Sequence, residues 1–191
     1  MHVEVAGLQP GREYWYRFRV DGHLSPVGRT RTAPRRDEMP ATLAMSAASC
    51  ANWEAGFFTA YRHLAARGDL DAVLHMGDYL YEYAPGQYGM GQKNINVRKH
   101  VPAREITTLS DYRKRHAQYK QDPDLLALHA RYPFIVTWDD HEITNDNWRD
   151  GAENHDPATE GSFAARRAAA IQAYHEWMPI RAPQPTALDR I

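Results

Sequence analysis

The stretch Ala72-Val73-Leu74-His75-Met76-Gly77-Asp78-Tyr79-Leu80-Tyr81-Glu82 decides the fold. Its first five residues are a short apolar run, which reads as a buried strand, and a glycine and a carboxylate follow at its end. Upstream, Leu43 to Ser49 is another small-residue, apolar run that suits a buried strand. Between them, Gly56 to Arg67 places Phe57, Phe58, Tyr61, Leu64 and Ala65 at helical spacing, and Gly68 stops the helix. Strand, helix, strand predicts a parallel pair with a right-handed crossover. Downstream, Pro133-Phe134-Ile135-Val136-Thr137-Trp138 reads as a third buried strand. Ser110 is the expected cap of a helix running to Tyr119, and Asp124 that of a shorter one ending near Ala130. Phe163 to Trp177 reads as a helix ended by Pro179, which Pro183 and Pro185 keep from resuming. Tyr79 to about Glu105 has no clear period, and a loop of that length is often functional. Strands alternating with helices give the α/β class.

The first residues follow a different pattern. Val3-Glu4-Val5 is β-like, and Leu8-Gln9-Pro10-Gly11 reads as a turn. Glu13 to Val20 alternates with period two, with Tyr14, Tyr16, Phe18 and Val20 as its inward set. Asp21-Gly22 signals a hairpin, and a strand around Val27 to Thr32 follows it. The Leu-x-Pro-Gly turn ahead of Tyr-x-Tyr looks like a tyrosine corner, as at the end of a fibronectin type III-like sandwich. About three strands are visible where such a sandwich has about seven. Ala33 to Pro40 reads as a linker. The expected organisation is the end of one domain over 1–36 and part of a second over 42–191.

Composition excludes more than it identifies. Twenty-three basic and 24 acidic residues leave a net charge of −1. That gives no footprint for nucleic acid or an anionic membrane. No apolar run reaches the roughly 20 residues of a membrane span. Met1 to Val5 has no basic segment leading into an apolar one, so no secretory signal is read. One cysteine excludes an intrachain disulfide. Composition describes a soluble globular chain and stops there; a monomer is the separate expectation.

Three strand ends run into metal-competent residues: Ser49-Cys50-Ala51-Asn52, Gly77 to Glu82, and Asp139-Asp140-His141-Glu142. Ligands gather at the carboxyl ends of strands in an α/β sheet, so these ends should meet at one edge. Asp139, Asp140 and Glu142 crowd three carboxylates around one histidine. A cation neutralises such a cluster; a helix N-cap with acidic residues is the plain alternative. Asp78, directly after a glycine, suits either a metal bridge or an ordinary turn. Tyr81 by itself is a packing residue. Spacing alone favours an inert Cys50 over a ligand. The histidines other than His141 are read as structural or surface residues.

On these residues the chain resembles the PhoD-like alkaline phosphatases, members of the calcineurin-like metallophosphoesterase superfamily. The resemblance runs from Thr30-Arg31-Thr32 through Ser49 to Asn52, Met76 to Glu82 and Leu109-Ser110-Asp111-Tyr112-Arg113. It continues to Trp138 to Glu142, with Asn145-Asp146 beyond. It implies a four-layer αββα fold that hydrolyses a small phosphate ester, mono- or diester, through a metal-bound hydroxide. It implies Fe3+ held by thiolate, tyrosinate and carboxylate, with Ca2+ as partner. Cys50 and Tyr81 then become ligands, Asp78 the bridge, and Asp140 the residue standing where the superfamily usually has asparagine. Asp139 and Asn145 are further candidate metal ligands. His141 matches the histidine that assists the leaving group or stabilises the phosphoryl oxygens. The superfamily draws more ligands from a later Asp or His and a Gly-His-x-His-type segment, which nothing after His141 supplies. The chain is therefore expected to be a fragment with an incomplete site and little or no activity. Its parent is expected to be secreted or periplasmic. The competing expectations are a non-catalytic metal-binding or interaction module, and a phosphodiesterase of the same superfamily.

Overall fold

The structure is a computed structural model that describes residues 2–88 and 97–181. β1 (Glu13–Tyr16), β2 (Arg19–Val20), β3 (His23–Leu24) and β4 (Gly28–Arg31) form two antiparallel ribbons, β1 with β4 and β2 with β3. Asp21 and Gly22 both take positive φ, +48° and +83°, and close the second ribbon as a two-residue turn. Tyr14 turns its phenol back to accept the Gln9 amide at 2.7 Å. Two expectations fail here. Val3 to Val5 is not a strand, and the run from Glu13 to Val20 is two strands rather than one. Ser25 accepts the Phe18 amide with its hydroxyl and donates its own N–H to Phe18 O, so the chain changes ribbons at this point. Tyr16, Phe18 and Val20, expected inside, are 40%, 49% and 53% exposed, because no second layer covers them among the described residues.

Beyond the linker come β5 (Met45–Ala48), α1 (Thr59–Ala66), β6 (Ala72–Met76), α2 (Leu109–Tyr119), α3 (Pro123–Arg131), β7 (Phe134–Thr137), α4 (Pro157–Glu160) and α5 (Phe163–Trp177). β5, β6 and β7 lie parallel in that order, with Ala48 opposite His75 and Met76 opposite Thr137. This is the α/β arrangement the sequence predicts. α1 packs on α3 and α2 on α5, and β4 rests against α3. The core is rich in tyrosine: Tyr79, Tyr112, Tyr119 and Tyr174 are buried beside Val73 and Leu128.

The helix starts differ from those expected. Thr108, not Ser110, caps α2 by accepting the Asp111 amide. Asp122, not Asp124, caps α3, accepting the amides of Asp124 and Leu125 at 2.9 and 2.8 Å. Pro123 explains the difference: its fixed φ and missing N–H suit the first helical position, so the cap must precede it. Asp124 instead forms a two-bond ion pair with Arg62. α1 begins at Thr59 and leaves Phe57 65% exposed. The roles given to Pro183 and Pro185 lie outside the described residues. The far end of the long loop is fastened by Arg98. Its guanidinium lies 3.7 Å from the Trp53 ring centroid and 4.6 Å from that of Phe58, and pairs with Asp122 at 2.5 Å. No helix among the described residues is long and apolar enough to cross a membrane.

Around the Tyr79 ring sits a group of bases, buried at His75 and half-buried at Lys120 and His129. Lys120 Nζ lies 3.1 Å from His129 Nε2 and 4.6 Å from the Tyr79 ring centroid, and His129 in turn meets the Tyr79 hydroxyl at 2.8 Å. Burial lowers Lys120 from 10.5 to about 7 and holds His75 at about 4. Between about pH 7 and 10.5 the unfolded chain thus binds the extra proton, and stability rises with pH across that window. Lys120→Met should therefore stabilise the fold by about 5 kcal/mol at pH 6 and by almost nothing at pH 10.5. Urea denaturation at the two pH values measures this, and an equal effect at both would contradict it.

Candidate metal centre at the strand ends

The parallel register brings the three strand ends to one edge. Cys50 donates its amide to Gly77 O at 3.3 Å, and Ala51 donates to Asp78 O at 2.8 Å, continuing the β5–β6 pairing into the loops. Gly77 has φ +101°, and a Cβ there would stand 2.4 Å from the Asp139 amide nitrogen, so only glycine allows this approach. Cys50 and Asp78 follow with φ +57° and +52°, a region that non-glycine residues enter rarely and that clusters at functional sites.

Asp78 is the meeting point of two donor sets. Its Oδ2 accepts from Cys50 Sγ at 3.4 Å and from the Tyr81 hydroxyl at 3.1 Å. Ligand atoms of Asp78, Asp140 and His141 lie within 4.8 Å of one another. Asp78 is 7% exposed, and its Oδ1 is buried with no hydrogen-bond partner. Burial raises the Asp78 carboxyl, against the His141 charge and the Cys50 and Tyr81 hydrogen bonds. Burial, with the Asp78 charge next, also drives the Tyr81 phenol far upward. An orphaned carboxylate oxygen beside a thiol and a phenol is a donor set that fits a cation, which would supply the charge both groups lack.

The remaining residues orient these donors. Asp140 is fixed by the amides of His141, at 2.9 Å, and Asp146, at 2.6 Å. His141 is 3% exposed, gives Nδ1 to Glu82 at 2.8 Å, and lies 4.2 Å from Tyr81 between ring centroids. Burial works against the imidazolium, but Glu82 and then Asp140 and Asp78 outweigh it and hold His141 above its ordinary value. Arg115, fully buried, spends its donors on carbonyls alone: those of Tyr81, Tyr83, Val101, Pro102 and Arg104. It thereby sets the backbone that carries Tyr81 and Glu82.

Two expected ligands stand apart. Asp139 is exposed and lies outside the Asp78–Asp140–His141 set. Asn145 donates its side-chain amide to Glu153 at 3.2 Å and its backbone N–H to Glu82 at 2.7 Å. The carboxylates of 139–142 do not crowd one point, because successive residues of a turn face different ways. Asp139 faces solvent, Asp140 the site, and Glu142 the protein interior. Two acids that the sequence places at these strand ends, Glu82 and Glu142, are buried and hold neighbouring groups, a role their spacing did not signal. Glu82, with no exposure, accepts from His141, Asn145 and Asn154. Glu142 accepts the amides of Tyr79 at 2.5 Å and Asp139 at 2.9 Å. Glu142→Gln replaces one of those acceptors with a donor facing a donor. It should destabilise the fold by about 1–3 kcal/mol in chemical denaturation; an unchanged midpoint would show that the bridge contributes nothing.

Comparison with known proteins gives the chain a family. A family model described as PhoD-like phosphatase matches residues 43–191, and one described as PhoD-like phosphatase, N-terminal domain, matches residues 1–34. Alkaline phosphatase D of Bacillus subtilis (strain 168) is 48% identical over 181 residues, 95% of this chain and 30% of that protein. The solved "Structure of PhoD" superposes with a TM-score of 0.88 at 46% identity, covering 96% of this chain and 35% of that one. The chain spans about a third of the length of these relatives. It belongs to the PhoD-like phosphatase family.

Proposed function

We propose that the protein is a metal-dependent phosphoesterase hydrolysing small phosphate mono- or diesters. The observation that carries this is Asp78, shared between Cys50 and Tyr81 on one hand and Asp140 and His141 on the other. Cys50, Tyr81 and Asp78 would hold Fe3+, and Asp78 with Asp140 would hold Ca2+. Asp139 and Asn145 would join only with side-chain placements other than those seen. Cations at such a site supply charge neutralisation for the phosphoryl group and a lowered pKa for water. His141 has a separate task. Glu82 occupies its Nδ1, which fixes the ring and leaves Nε2 to carry a proton toward the departing alcohol.

For the architecture, we infer that the three-stranded sheet is part of a four-layer αββα fold and that residues 1–36 end a fibronectin-like sandwich. One face of the sheet supports the first inference. Met45, Met76 and Ile135 on it are 46%, 48% and 54% exposed, whereas parallel sheets are covered on both faces. We place the whole protein outside the cytoplasm, secreted or periplasmic, working as a monomer, and we propose that this chain alone has little activity.

In the full-length protein, Asp78→Asn should abolish hydrolysis, and a near-wild-type rate would reject the bridge. A ferric–tyrosinate absorption band should disappear in Tyr81→Phe; an active enzyme without iron or colour would refute the iron assignment alone. Purified as the 191-residue chain, the protein should hydrolyse p-nitrophenyl phosphate poorly, and robust metal-dependent turnover would show that it suffices.

A further inference from the structure

A stack of three tyrosines adjoins His141. The rings of Tyr83 and Tyr88 lie face to face, 4.8 Å apart at 10°. The Tyr88 ring also stands 4.7 Å from His141, at 63°, and 5.2 Å from Tyr81. Tyr88 is therefore one of the rings that pack around the buried imidazole, with Tyr81 at 4.2 Å and Tyr83 at 6.0 Å. The two walls differ in how they are held. Tyr83 is anchored from behind, since Arg115 takes its carbonyl at 3.2 Å. Tyr88 lies just past a turn closed by the Gln87 amide on Ala84 O. Among the described residues its phenol has no hydrogen bond, and contacts with the rings of Tyr81, Tyr83 and His141 seat it.

The order of groups matters. Ligand atoms of Asp78 and Asp140, where the phosphoryl group belongs, lie within 4.8 Å of one on His141, and the Tyr83 and Tyr88 rings lie 6.0 and 4.7 Å from its ring. The stacked pair Tyr83 and Tyr88 is thus within reach of the alcohol portion of an ester whose phosphoryl group meets Asp78, Asp140 and His141. We propose that the slot filled by Tyr88 is an aryl subsite, in which a planar aromatic leaving group replaces the Tyr88 ring on the face of Tyr83. The position of the phosphate rests on the phosphoesterase reading above; the slot itself does not. A charged head among carboxylates and a flat apolar tail against aromatic rings is the usual division of a ligand site. Parallel stacking favours an aromatic guest over a saturated one of equal size by about 2–10-fold.

Titrating phenol and cyclohexanol into the 191-residue chain, followed by NMR of the tyrosine rings, tests the slot without turnover. Phenol should bind about 2–10-fold more tightly than cyclohexanol and shift the Tyr83 and Tyr88 signals. Tyr83→Ala should erase the preference, and Tyr83→Phe should keep it. Tyr88→Ala, which empties the slot, should tighten phenol. Equal affinities for the two alcohols, or weaker phenol binding in Tyr88→Ala, would overturn the proposal. Phenyl and cyclohexyl phosphate, assayed with the full-length protein, separate the two ideas. Hydrolysis of neither ester, with the phenol preference intact, would refute the phosphoesterase and leave the subsite. Hydrolysis of both with equal KM would refute the subsite and leave the phosphoesterase.

Discussion

Glu142 reaches from the loop after β7 and accepts the amide of Tyr79 with one oxygen and that of Asp139 with the other. Both amides lie just past the ends of parallel strands, where the ladder stops and a buried N–H would otherwise go unpaired. By tying them to one carboxylate the protein sets two loops from distant parts of the sequence at a fixed separation. Asp78 immediately precedes one tied residue and Asp140 immediately follows the other, so the convergence of their side chains depends on this bridge. Gly77 makes the approach sterically possible, since any Cβ would collide with the β7 loop. Burial pushes the Glu142 carboxyl up to about 7, and the two amides oppose that push.

The elements that follow local rules were legible in the sequence. β5, β6 and β7 are short apolar runs, and α5 runs from Phe163 to Trp177 as its pattern predicts. Parallel strands with polar residues at their carboxyl ends then lead to one edge, and Cys50, Asp78, Tyr81, Asp140 and His141 do gather there. Features whose partners lie far away in sequence were not legible. Glu82 is 59 residues from His141, and no periodicity marks it. Asp139 shows the reverse error: a run of adjacent acids suggests a cluster, yet neighbours in a turn diverge. The alternation from Tyr14 to Val20 is real, but period two identifies two faces without saying which one is covered.

Two classes of buried charge-capable group are kept apart. Near the Tyr79 ring, Lys120, His75, His116 and His129 are bases whose burial favours the neutral form, so that part of the core becomes apolar as Lys120 loses its proton above about pH 7. Across Tyr79, at the strand ends, the acids Asp78, Asp140 and Glu82 surround one histidine. Tyr79 belongs to both, with its amide tied to Glu142 and its hydroxyl to His129.

Arg115 adds a property of another kind. Most anchors of a ligand-bearing loop are ion pairs, which weaken when the acid is protonated or salt screens the pair. Arg115 holds the Tyr81–Tyr83 and Val101–Arg104 segments by backbone carbonyls, which do not titrate, in a place salt cannot reach. Burial lowers its guanidinium only to about 10, so it stays charged from acid through mildly alkaline solution. The hold of Arg115 on these two segments is thereby uncoupled from pH and ionic strength. A change in rate with either variable then traces to the groups that titrate, the Glu142 bridge and the reacting residues among them, and not to this anchor.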